Sequence, residues 1–169
     1  MTRPQTTEAA DYYFRYIDLV TSDDIVPAIE NQMGEMLQLL SGIGEEQSLH
    51  SYAPGKWTIR ELLNHVNDGE RIFAGRALWF ARGFSDPLPS FEQDIAVENA
   101  HANNTSWADL VEEFKNVRLS TISFFKSLPT EAWDRTGIAS DNPMSVRAIA
   151  YIIAGHVSHH IGVLREKYL

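Results

Sequence analysis

Four stretches of the chain place apolar residues three and four positions apart, the spacing that gathers them on one face of an α-helix. The first runs from about Asp24 to Leu40, with Ile25, Ile29, Met33, Met36, Leu37 and Leu40 on one stripe. Pro27 falls in its first turn, where a missing N–H is tolerated. The second begins at Thr58, where Thr58-Ile59-Arg60-Glu61 has the form of a capping box, and continues to about Arg82. A third starts near Ser106, carries Leu110, Phe114, Val117, Thr121, Phe124, Phe125 and Leu128, and is stopped by Pro129. The fourth takes Ser145 as N-cap and runs through Ile149, Ile152, Ile153, Val163 and Leu164 almost to the C-terminus. Stretches of about 20 residues cross a bundle about 30 Å long at 1.5 Å per residue. With no convincing strand pattern anywhere, the chain predicts an all-α four-helix bundle.

The connection from Gly83 to Thr105 contains Asp86-Pro87-Leu88-Pro89 and is too long for a simple turn between neighbouring helices. It predicts a long crossover between the second and third helices. The N-terminal segment, residues 1–22, holds Tyr12, Tyr13, Phe14, Tyr16 and Ile17 and is too aromatic for a free tail. A short helix or strap across the bundle is expected there. No linker composition and no internal repeat divides the chain, so residues 1–169 read as a single domain.

Composition narrows the function classes. The longest uninterrupted apolar run, Ala148 to Gly155, is far shorter than the ~18 to 20 residues of a membrane span, and no apolar signal region follows the N-terminal charge. A cytoplasmic protein without a membrane partner is expected. The balance of 14 Lys and Arg against 23 Asp and Glu gives a net charge of −9 with no basic cluster, which argues against a nucleic-acid partner. No cysteine is present, so disulfides, thiolate metal ligands and a cysteine nucleophile are excluded. Any metal must sit on His, Asp or Glu.

The histidines supply the candidate chemistry. His156 and His160 lie one turn apart on the fourth helix, about 40° apart on the wheel, and share their face with Ile149, Ile152 and Val163. His65, on the second helix, shares its face with Leu62, Gly69 and Ile72. Three imidazoles therefore point into the bundle, where facing helices build metal sites with room for water or substrate. The alternative is three core histidines satisfied by hydrogen bonds, and an isolated His-x-x-x-His is a weak signal. Ligating imidazoles with an ordinary pKa of about 6.5 would release metal as pH falls toward 5.

Trp57-Thr58-Ile59-Arg60-Glu61-Leu62-Leu63-Asn64-His65-Val66-Asn67-Asp68-Gly69-Glu70-Arg71, followed far downstream by Gly155-His156-Val157-Ser158-His159-His160-Ile161-Gly162, resembles the DinB-like superfamily. Arg3-Pro4 and Tyr12-Tyr13-Phe14-Arg15-Tyr16-Ile17 resemble one branch of it, so the similarity spans nearly the whole chain. The resemblance implies a four-helix bundle with a long crossover, frequent homodimers, and a divalent metal, often zinc or nickel, on His65, His156 and His160. His159 matches a common histidine that does not coordinate in most members, and is kept as a pocket residue. Characterised members include enzymes that use low-molecular-weight thiols, so a thiol cosubstrate is implied as well.

Asp68, about 60° from His65 on the wheel, and Glu70, about 140° away, are candidate general bases, with His159 a further catalytic candidate; the alternative for both carboxylates is that they are simply solvated on the helix surface. Gln93 and Asp94 of the crossover are candidates to roof the pocket. Trp57 and Trp79 read as core or dimer-interface aromatics. Two functions follow: a metal-dependent enzyme, either a thiol-dependent S-transferase or a small-molecule hydrolase, and a non-catalytic metal- or ligand-binding module.

Overall fold

The computed structural model describes residues 2–169. Its elements in chain order are α1 (Asp11–Ile17), α2 (Ile25–Ser41), α3 (Ile59–Ala81), α4 (Gln93–Ala100), α5 (Trp107–Lys126), β1 (Thr136–Ala139), β2 (Asn142–Ser145) and α6 (Val146–Val163). The long helices α2, α3, α5 and α6 form the bundle. Their starts follow local chemistry. The Thr58 hydroxyl accepts from the Glu61 N–H at 3.1 Å while the Glu61 carboxylate accepts from the Thr58 N–H at 2.7 Å, and Ser106 and Ser145 cap α5 and α6.

Helix α6 is buried almost all round, because α2, α3 and α1 each cover a side of it. The strap helix α1 lies so close that a Cβ on Gly155 would collide with the carbonyl of Tyr16. Only glycine permits that approach, and it brings the Tyr16 ring to the histidines of α6. After Val163 the chain widens into a π-type turn, Leu164–Tyr168, and the Tyr168 hydroxyl donates to the carbonyl of Trp57 at 2.6 Å. The loop before α3 is thereby fixed against the end of α6.

One expectation needs correction. The absence of strands does not hold: β1 and β2 form an antiparallel hairpin, with Thr136 opposite Ser145 and Ala139 opposite Asn142. Its two-residue turn, Ser140-Asp141, takes left-handed φ values of 52° and 60° without the glycine that usually announces such a turn, and Pro143 sits on a strand. Four-residue strands of this composition carry almost no periodic signal. The long crossover is present as expected and carries structure of its own. Its Leu88 pairs with the hairpin, donating to Ile138 O at 2.9 Å and accepting from Ser140 N at 3.1 Å, and α4 then lies against α3. Crossover and hairpin together wall one side of the bundle. No helix among the described residues is long and apolar enough to cross a membrane.

Candidate metal centre

His65 projects from the middle of α3, and His156 and His160 from one face of α6, the two helices that pack most extensively on one another. All three are buried, at 6%, 7% and 7% exposure. His156 Nε2 lies 3.0 Å from His65 Nε2 and 3.1 Å from His160 Nε2. A neutral imidazole has one donor and one acceptor nitrogen, so His156 Nε2 can satisfy only one of the two nitrogens that face it. Hydrogen bonding alone cannot close the trio.

Three imidazole nitrogens this close together suit a divalent cation: the ligand atoms lie within 4.8 Å of one another, forming the metal-competent group among the described residues. His65, His156 and His160 would hold such an ion, and three protein ligands would leave a further position for water or substrate. The Nδ1 atoms of His65 and His160 are buried with no protein partner among the described residues.

Burial sets the electrostatics. Desolvation pushes the His65 imidazole down to about 4, opposed by Asp94 and aided by His159. It pushes His156 down to about 3, helped by the neighbouring histidines and by Arg118, and it drives His160 well below the ordinary range. All three are therefore neutral, and ready to ligate, at pH values where a surface histidine is charged. The sequence-based expectation of metal loss toward pH 5 moves accordingly. Metal affinity should stay nearly flat from pH 8 to about 5 and collapse only below that, as protons begin to compete for desolvated nitrogens. The metal-free protein should behave differently. Its unfolded chain takes up protons from about 6.5 downward while the folded chain does not, so stability falls with pH between about 6.5 and about 4, by about 3 kcal/mol for His65 alone. Urea unfolding and competitive metal titration across this range check both statements.

The surroundings contain residues that sequence reasoning misplaced or missed. Trp57 is half-buried, and its ring lies 4.9 Å from that of His65. Tyr16 meets His156 edge-on at 5.4 Å and His159 at 5.6 Å. Gly69 faces His156, and a Cβ there would press to 3.1 Å of its Cε1. Asp68 does not turn to the histidines; it accepts from Asn64 at 2.8 Å and from Arg71 at 3.4 Å. His159 is exposed, stands beside His160 with ring centroids 5.0 Å apart, and does not line the adjoining cavity. Trp79 lies half-buried at the end of α3, stacked on Phe84.

Glu70 is the largest departure. Far from being solvated, it is buried at 2% exposure and pairs at 2.8 Å with Arg118, which is wholly buried. Arg118 also reaches Gln32 Oε1 at 3.4 Å, and Gln32 Nε2 donates to Ala154 O and Ser158 Oγ, each at 2.7 Å. One polar network thus joins all four bundle helices and grips α6 on either side of His156.

His65 and His156 form part of the wall of a cavity of about 310 Å³. Its other walls are Tyr12, Tyr13 and Tyr16 of α1, Gly69, Ile72, Phe73 and Arg76 of α3, Phe91 to Asp94 of the crossover, and Ser140 of the hairpin turn. Gln93 and Asp94 accordingly sit over the site.

The model of the DinB superfamily matches residues 28–164. YfiT from Bacillus subtilis, described as a probable metal-dependent hydrolase with an unusual four-helix bundle topology, superposes with a TM-score of 0.71 at 12% identity, covering 96% of this chain and 89% of that one. A mycothiol-dependent maleylpyruvate isomerase superposes with a TM-score of 0.70 at 13% identity, covering 86% of this chain and 61% of the isomerase, so the chain spans about three fifths of that protein's length. At such identities the likeness is one of fold. No curated protein matches the chain.

Proposed function

This chain belongs to the DinB superfamily, and from that premise we propose that it is a divalent-metal-dependent enzyme for a small molecule, acting as a thiol-dependent S-transferase. The observation that carries this reading is the convergence of three desolvated imidazoles, two of which, His65 and His156, line a substrate-sized cavity. His65, His156 and His160 would hold the ion, with zinc and nickel the metals suited to imidazole. A divalent ion bound there supplies a Lewis acid able to polarise an oxygen or to stabilise a thiolate.

The chain's own residues provide the rest. Burial keeps the three imidazoles neutral, and the rings of Trp57 and Tyr16 shield them from water. Phe73, Ile72 and Phe91 give the cavity an apolar flank. Hydrolysis asks for a base aimed at the attacking water; Asp68 is engaged with Asn64 and Arg71 and Glu70 with Arg118, which leaves that role to Glu92 or Asp94 of the cavity wall. Sulfur transfer asks for no such base once the thiolate is stabilised, and in a chain without cysteine the thiol must come from outside.

The test is to load the protein with zinc or nickel, offer a panel of small thiols with an electrophilic acceptor, and follow loss of free thiol. Metal-dependent consumption that disappears in His160→Ala, with helical content unchanged, is the expected result. A protein that holds its ion in a closed sphere, binds no thiol and unfolds when stripped would be a structural metal protein instead.

A further inference from the structure

Arg76 is buried at 5% exposure and lines the same cavity as His65 and His156, yet no carboxylate among the described residues lies within ion-pair distance of it. Burying a cation without a counter-charge is costly, so its position calls for a partner that arrives with a ligand. Its partners are neutral: Nη2 donates to the Pro89 carbonyl at 2.8 Å and to Ser140 Oγ at 3.0 Å. Two of the five guanidinium N–H groups are thereby used, and the other three have no protein acceptor. Phe73 flanks the head group, with its ring centroid 5.5 Å from Arg76 Cζ. The holders come from the two segments that pair across the bundle side, Pro89 from the crossover and Ser140 from the left-handed hairpin turn.

Resting on the metal-enzyme reading above, we propose that Arg76 is the receptor for a carboxylate at the far end of an elongated substrate whose reacting end lies at the three histidines. Position sets the length. Residues 65 and 76 are eleven apart on one helix, about 16 Å between backbones, and the Arg76 side chain leans back toward the helix N-terminus. Ile72 and Phe91 line the wall between, which suits an apolar middle. Charge sets the direction. Arg76 is the one arginine or lysine among the described residues that line the cavity, so with the reacting end held at the histidines the opposite end is the one matched to a carboxylate. Glu92 and Asp94, which line the same cavity, also favour a singly charged carboxylate over a dianionic phosphate.

The test compares 6-mercaptohexanoate with 6-mercaptohexanamide, titrated by calorimetry into zinc-loaded and zinc-free protein. Wild type should bind the acid at least about 10-fold tighter than the amide, the discrimination of one charge-assisted contact. Arg76→Gln should lose that preference while keeping zinc content and amide affinity, and Arg76→Lys should retain part of it. If Arg76→Gln fails to fold, Ser140→Ala, which frees one tie on Nη2, should reduce the preference several-fold. Equal affinity for acid and amide in wild type, or a preference unchanged in these variants, would overturn the assignment. Failure to bind zinc at all would count against the metal reading alone, since the acid-to-amide ratio is also read without zinc.

Discussion

His156→Ala should lower divalent-metal affinity by more than about 100-fold while leaving helical content almost unchanged. Changing a residue that merely supports a ligand costs about 10- to 100-fold, and His156 would be the ligand at the centre, 3.0 Å and 3.1 Å from the other two nitrogens. Removing it leaves His65 and His160 as a pair without the atom that bridges them. The fold should survive, because α6 is held by an apolar stripe from Val146 to Ile153 and by the strap helix α1, none of which depends on the imidazole. Calorimetric zinc titration with circular dichroism reads both quantities. Affinity within a few-fold of wild type would mean that the ion sits elsewhere.

The second large effect concerns stability. Glu70→Ala should cost about 3 to 5 kcal/mol, because it strands the wholly buried Arg118 charge that Glu70 neutralises at 2.8 Å. Burial already presses the Arg118 guanidinium toward its neutral form, and Glu70 is the group that opposes this. In a chain of 169 residues the loss corresponds to a melting temperature lower by about 10 °C or more. Removing both charges, as Glu70→Leu with Arg118→Met, should be far less harmful than the single change, since an apolar pair of similar volume carries no desolvation penalty. Thermal and urea unfolding of the three proteins checks this, and additive losses would mean that the two side chains do not act as a pair. The network spans all four bundle helices, so it also sets the register in which α3 and α6 present their histidines.

Most of the bundle was legible because its signals are local. Apolar periodicity and side-chain caps at Thr58, Ser106 and Ser145 placed the ends of α3, α5 and α6 to within a residue or two. The inward direction of His65, His156 and His160 followed from the same periodicity. What escaped depends on partners far apart in sequence. The hairpin is held by β1 against β2 and by Leu88 of the crossover, and its Ser140-Asp141 turn lacks the usual glycine.

Glu70 and Arg118 were mistaken or passed over because a charged residue was assumed to face water. Yet Glu70 follows Leu63 and Val66 on the buried side of α3, and Arg118 follows Phe114 by one turn on α5. A charge within an apolar stripe on each of two helices was the available signal. Asp68 misled in the opposite way: the wheel put it near His65, and it was Asn64 and Arg71 on its own helix that drew it aside.

The most direct test of a metal held by His65, His156 and His160 is X-ray absorption at the metal edge of zinc-reconstituted protein, with metal content measured on the same sample. One ion per chain is predicted, with three imidazole nitrogens at about 2.0 to 2.1 Å and a further scatterer that changes from oxygen to sulfur when a thiol is added. Substoichiometric metal, or a spectrum dominated by oxygen with fewer than three imidazoles, would contradict it.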